Sequence, residues 1–323
     1  MDREVSQQSQ QQAAHLEREG RVAVASLLIL PATGRLPSHR KKCRRSTRPI
    51  SLTWKSIEYT LRFAVIGKIV TLAFAVGLCQ AASYKAPRGP DGKANLNGIW
   101  QTLNTANWDI QGHAAQAGVV VALGAADAVP GGLGVVEGDE IPYLPEAAKK
   151  KKENFESRLT ADPEIKCYLP GVPRATYMPF PFQIVQTSKY ILIVYEFANA
   201  TRTIYMGNAP PSPVDTWMGH SVGHWEGDTL VVDVTSFNDQ TWFDRAGNFH
   251  SDALHVVERY TPLSPDALMY EATIEDPKVF ARPWKMSMPL YRRLEKNAQL
   301  LEFKCVEFVE ELMYGPLRKK PGK

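Results

Sequence analysis

Four of the five histidines beyond residue 83 fall between Trp217 and Tyr260, at positions 220, 224, 250 and 255, and Asp233, Asp244, Asp252 and Glu258 lie close to them in sequence. An imidazole beside a carboxylate is acid–base chemistry. The carboxylate orients the ring and raises its pKa, and a histidine titrating near neutrality moves protons efficiently. The expected catalytic set is His250, Asp252, His255 and Glu258, assisted by His220. Proton transfer of lyase, isomerase or hydrolase type on a small molecule fits that set. The same side chains also ligate transition metals. A divalent transition metal, if bound, would take His220, His250 and Asp252, but no HExxH or HxH spacing occurs and no cofactor is expected. A third reading is ligand binding without chemistry, in the manner of a lipocalin-like carrier. Trp217, Trp242, Trp284 and Tyr205 would then stack on a ring, and Arg202 would capture an anion. The bland alternative is that these groups are solvated rim residues and satisfied hydrogen bonds at strand ends.

These residues must be positioned by strands. Glu226-Gly227-Asp228 separates His220–Trp225 from the apolar run Leu230-Val231-Val232, which is hairpin chemistry. Gly219-His-Ser221-Val-Gly223 imitates a nucleophile elbow, but an elbow needs a strand, a turn and a helix, and a hairpin follows here. On a strand, alternate residues share a face. His220 and His224 therefore face away from Ser221, and Glu258 and Tyr260 away from His255. His250 and Asp252 share a side only if the strand reaches back that far.

Further strands are expected at Gly98–Leu103, Phe182–Thr187, Tyr190–Phe197, Thr201–Met206, Thr229–Thr235, Ala253–Thr261, Ala267–Ile274, Trp284–Leu290 and Leu300–Phe308. Short strands at this spacing describe a mainly β fold, either an antiparallel up-and-down barrel of lipocalin or calycin type or a sandwich. A helical N-terminal insertion is expected within 98–160. Glu146–Arg158 carries it, opened by Pro145, and Ala114–Ala128 reads as a second helix. The antiparallel β core then occupies 167–310. Lys149–Lys152 reads as a solvated helix face.

The start of the chain differs in kind. Residues 1–54 are rich in Gln and then in Arg and Lys, and read as a disordered basic extension, consistent with a start placed too early. Residues 55–83 read as a signal peptide: Lys55, Arg62 and Lys68 precede the apolar run Ile69–Cys79 and a small-residue exit. That run is too short to span a bilayer as a helix. Export to the periplasm or medium follows, with an uncleaved anchor as the alternative and no other membrane contact. Residues 1–83 hold 13 of the 38 basic and 5 of the 34 acidic residues, which leaves 84–323 with 25 basic and 29 acidic. The single β-rich domain at 84–323 is therefore mildly acidic and offers no electrostatic case for nucleic acid. A small molecule is the expected partner. Only Cys167 and Cys305 remain in this part, and in an oxidising compartment they most simply form one disulfide, tying the start of the β core to its last strand.

Several longer motifs run through this domain: Gly98-Ile-Trp100, Cys167-Tyr-Leu-Pro-Gly-Val-Pro-Arg174, Met218–Asp233 (MGHSVGHWEGDTLVVD), Phe249–Arg259 (FHSDALHVVER), Glu275-Asp-Pro277 and Phe303-Lys-Cys305. In these the chain resembles a large family of secreted bacterial hypothetical proteins. The resemblance covers nearly all of 84–323. It implies secretion and a one-domain architecture, and supplies no catalytic residue. The basic N-terminus departs from the family pattern.

Overall fold

In the computed structural model, residues 84–118, 120 and 128–317 are described. The expected basic extension and signal peptide lie outside them. Nine strands close into one barrel in sequence order. They are β1 (Gly98–Gln101), β2 (Phe182–Gln186), β3 (Tyr190–Tyr195), β4 (Thr201–Met206), β5 (His220–Glu226), β6 (Thr229–Thr235), β7 (His255–Ser264), β8 (Ala267–Glu275) and β9 (Trp284–Arg292). β1 closes the ring by pairing with both β2 and β9. No helix among the described residues is long and apolar enough to cross a membrane.

The barrel is mixed rather than purely antiparallel. A closed ring with an odd number of strands, each beside its sequence neighbours, cannot alternate direction all the way round. The single parallel pair is β4 with β5. A parallel connection has to carry the chain back along the barrel, and residues 207–219 do this with three prolines at 210, 211 and 213. Every other neighbouring pair is antiparallel, including the β5–β6 hairpin, whose turn is Gly227-Asp228 with Gly227 at φ +61°.

Alternation fills the interior. Ile191, Ile193, Ile204, Val232, Val234, Val256, Tyr260, Tyr270, Ile274, Met286 and Met288 are all buried at 3% exposure or less. Cross-strand register stacks them in layers, such as Val232, Glu258, Ala272 and Met286 around β6 to β9. At roughly 25 cal/mol per Å² of apolar surface, such burial is the main stabilising contribution.

Outside the barrel, the expected helix is α1 (Pro145–Ala161), opened by Pro145 as anticipated. The expected helix at Ala114–Ala128 is corrected for Ala114–Gly118, where His113 and Gln116 instead bridge to Gly132 and Val129; residues 119 and 121–127 lie outside the described set. A second correction concerns Leu300–Phe308. No strand forms there, because β1 already occupies the free edge of β9 through Trp100–Arg292 and Gln101–Tyr291. The disulfide Cys167–Cys305 does form. It ties the loop before β2 to an irregular segment beyond β9 rather than to a last strand. A short helix, α2 (Arg174–Tyr177), is wholly buried, with Arg174 donating to both Asp162 oxygens at 2.9 and 3.1 Å.

Candidate functional site

The parallel seam is one of the thin places in the barrel wall, along with the pairings of β1 to β2 and β9. β4 and β5 share only a three-residue ladder, Ile204 with Ser221, Tyr205 with Val222 and Met206 with Gly223. Thr201–Thr203 pair with β3 on one side and have no ladder partner on β5. A cleft of about 340 Å³ opens there, beneath the 207–219 loop. Its lining includes the outward-facing Thr203, Tyr205 and His220 and the inward-facing Arg202 and Ser221. The cleft therefore reaches through the wall from the outer face towards the core.

Two glycines allow the strands and loop to meet here. Gly219 has φ +66°, and a Cβ on it would come within 2.7 Å of Val234 and 2.8 Å of Phe237. A Cβ on Gly223 would come within 2.7 Å of Ile204. The Gly-x-Ser-x-Gly pattern thus records close approach at the seam, and the β5–β6 hairpin follows it as expected. Thr216 anchors the loop, donating its N–H to Ser236 O and accepting from Asn238 N–H, both at 2.9 Å.

The outer part of the cleft is aromatic. His220 and Tyr205 lie with ring centroids 5.4 Å apart and planes at 31°. Trp217 meets Tyr168 edge to face at 5.0 Å. The Nε2 of His220 is buried and has no hydrogen-bond partner among the described residues.

The inner part is ionic. Arg202 Nη2 pairs with Glu258 Oε2, and Arg202 Nε donates to Ser221 Oγ at 2.8 Å. Tyr260 and Tyr270 donate to Glu258 Oε1 at 3.0 and 2.8 Å. Burial opposes the charge on Arg202, but the Glu258 carboxylate outweighs it and holds the guanidinium well above its usual pKa. Burial, reinforced by the Glu258 charge, pushes both tyrosines well above theirs. The third guanidinium nitrogen, Nη1, makes no hydrogen bond of ordinary geometry among the described residues, nor do Tyr195 Oη and Thr176 Oγ1, although Tyr195 lies near enough to both Thr176 and Arg202 for them to lower its pKa against the effect of burial. Buried polar atoms of this kind are costly unless something satisfies them.

The seam thus gathers His220, Arg202, Trp217 and Tyr205, and reaches Glu258 through Arg202. The other candidate residues sit elsewhere. β7 begins only at His255, so His250 and Asp252 do not share a strand face. His250 is buried against Phe237 and Phe243. Its Nδ1 lies 2.8 Å from Ser251 O, and its Nε2 lies 2.6 Å from Thr241 Oγ1. A carbonyl only accepts, so Nδ1 carries the proton and Nε2 accepts from the threonine. Burial lowers the His250 pKa, which favours this neutral form. Asp252 is exposed and paired with Lys278 at 2.5 Å. His255 lies on the outer face between Asp233 at 3.2 Å and Glu275 at 3.4 Å. Trp284 packs in the core against Phe243 and Phe280, and Trp242 bridges to Phe249. The possible metal trio of His220, His250 and Asp252 is not assembled, and no group of three His, Cys, Asp or Glu among the described residues could hold a metal ion.

Ser221, Tyr260, Tyr270, Tyr195 and Thr176 complete the inner cluster without having been singled out as site residues. The shared strand parity of Glu258 and Tyr260 was the one signal available. The geometry defines a closed barrel with a fenestrated parallel seam. No protein-family model matches the chain, and no curated protein matches it significantly.

Proposed function

We propose that the protein binds a small molecule in the seam cleft. The observation that carries this reading is the cleft itself, where aromatic walls lead to buried hydrogen-bonding atoms without partners. Tyr205 and Trp217 would stack on a planar part of the ligand, and His220 Nε2 would bond a polar substituent. Arg202 is already neutralised by Glu258 and would meet a ligand as a paired guanidinium rather than as a free charge. No carboxylate lines the cleft among the described residues, so an acid–base pair of His with Asp or Glu finds no support there. Binding without chemistry therefore outranks catalysis. Soaking crystals in a library of small aromatic and heteroaromatic fragments tests this. Electron density for fragments between Trp217 and His220 is expected, and fragments found only outside the cleft would refute it.

A second reading keeps catalysis at the same place. His220 lines the cleft and its buried Nε2 makes no hydrogen bond among the described residues, so in the tautomer with Nε2 bare it would accept a proton from a bound compound. On that reading His220→Ala abolishes turnover of a bound compound while its affinity survives. Loss of affinity alone returns the reading to binding.

We also propose export from the cytoplasm, as the resemblance to secreted proteins implies. The signal-like 55–83 segment supports this, as does the disulfide, a bond that persists in oxidising compartments. N-terminal sequencing of protein from the periplasmic or secreted fraction of a bacterial host should find a start near residue 84; an intact leader on soluble cytoplasmic protein would oppose it.

A further inference from the structure

A second cavity, of about 320 Å³, lies away from the seam, beneath the segment that follows the barrel. Phe180, Phe197 and Phe303 form one wall, with ring centroids 5.0, 5.2 and 5.7 Å apart. Leu159 of α1 and Ile165 line the other wall, and Phe308 belongs to the roof. Three of the charged groups at the rim are bonded together. Arg245 pairs with Glu164 at 2.8 Å and Glu310 at 2.7 Å and lies over the Trp108 ring at 4.3 Å. Burial would raise the Glu164 pKa, but Arg245 and Arg174, which also bonds it at 2.5 Å, hold it down at about 2.

The roof belongs to no strand. It is fixed by Cys167–Cys305, by Phe308 N–H donating to Ile165 O at 2.8 Å, and by Asn199 Nδ2 donating to Phe303 O at 3.3 Å. Apolar volume of this size forfeits dispersion contacts when unfilled, and its walls offer few of the two to four polar partners an ordered water needs. The charged lining, Glu164, Glu310 and Glu311 against Arg245 and Lys304, has an acidic excess and offers an anion no counter-charge.

We propose that this cavity is a second binding site, for a small uncharged aromatic or aliphatic molecule, and that the disulfide-held roof completes it. Its lining shares no residue with that of the seam cleft.

The test is titration of the oxidised full chain with N-phenyl-1-naphthylamine, a neutral fluorescent probe, and with its anionic relative 1-anilinonaphthalene-8-sulfonate. Saturable one-to-one binding of the neutral probe is expected, with the anion at least tenfold weaker. Leu159→Trp and Val306→Trp, each checked for folding by circular dichroism, fill the space from opposite sides and should each weaken the neutral probe at least tenfold. Reduction of the disulfide should weaken it severalfold. Absence of saturable binding, parent-like affinity in both folded filling variants, an anion preference, or indifference to reduction would each overturn the proposal.

Discussion

Arg202 and Glu258 meet inside the barrel with their side chains 1% and 0% exposed, and that ion pair sits at the inner end of the short parallel β4–β5 seam. Breaking a buried pair strands a charge, whereas replacing both partners with apolar groups does not. Glu258→Gln should therefore cost roughly 3–5 kcal/mol. The double variant Arg202→Met/Glu258→Leu should cost clearly less than that single change. Urea unfolding of both variants decides it, and an equal or greater loss in the double variant would contradict the buried-pair account.

Glu164 gives the fold an acid-labile point. Its folded pKa is about 2 against 4.5 unfolded. A depressed carboxylate contributes stability that is fully present above the unfolded value and is lost as pH falls through the folded one. The window is therefore about 4.5 down to 2, and the contribution is roughly 3 kcal/mol. Glu164→Gln should be less stable than the parent at pH 7, and the two should converge as pH falls to 2. A constant gap across that range would show that Glu164 is not linked to acid unfolding.

His250 should remain a neutral Nδ1–H tautomer below the pH at which a free histidine charges. Its lowered pKa means that the folded state takes up its proton late, so the stability it contributes is full above about 6.5 and declines as pH falls below that value. Long-range nitrogen–proton NMR correlations at pH 6 should show a protonated Nδ1 and a bare Nε2. A doubly protonated ring at that pH would exclude the Thr241–His250–Ser251 arrangement.

The disulfide closes a long loop, its cysteines being 138 residues apart. Chain-entropy reasoning gives a contribution of about 2–5 kcal/mol. The Cys167→Ser/Cys305→Ser variant should unfold at correspondingly lower urea. Alkylation of unreduced, denatured protein should label neither cysteine, and two labelled thiols would show that the bond is absent in solution.

Much of the barrel could be read from alternation alone. The period of two in Thr229–Thr235 and Ala267–Ile274 marks one buried face, and Gly227-Asp228 marks the turn between β5 and β6. Leu300–Phe308 misled because nothing local shows that β1 has already taken the edge of β9. The site was partly legible for the same reason. Residue type pointed to His220, Arg202, Trp217 and Tyr205, and sequence proximity then grouped His220 with His250 and Asp252. The true neighbour of His220 is Tyr205 on β4, brought alongside by a parallel pairing that no local pattern encodes. His250 was drawn instead into an apolar setting by Phe237 and Phe243.

The central claim is that the seam cleft is a ligand site. Its most direct measurement is thermal unfolding of the parent, Trp217→Ala and Tyr205→Ala against a panel of small heteroaromatic compounds. The account predicts that some compounds raise the parent's Tm in a saturable way and that both variants lose most of that shift while keeping the parent fold. Compounds that stabilise all three proteins equally, or a panel that stabilises none of them, would contradict it.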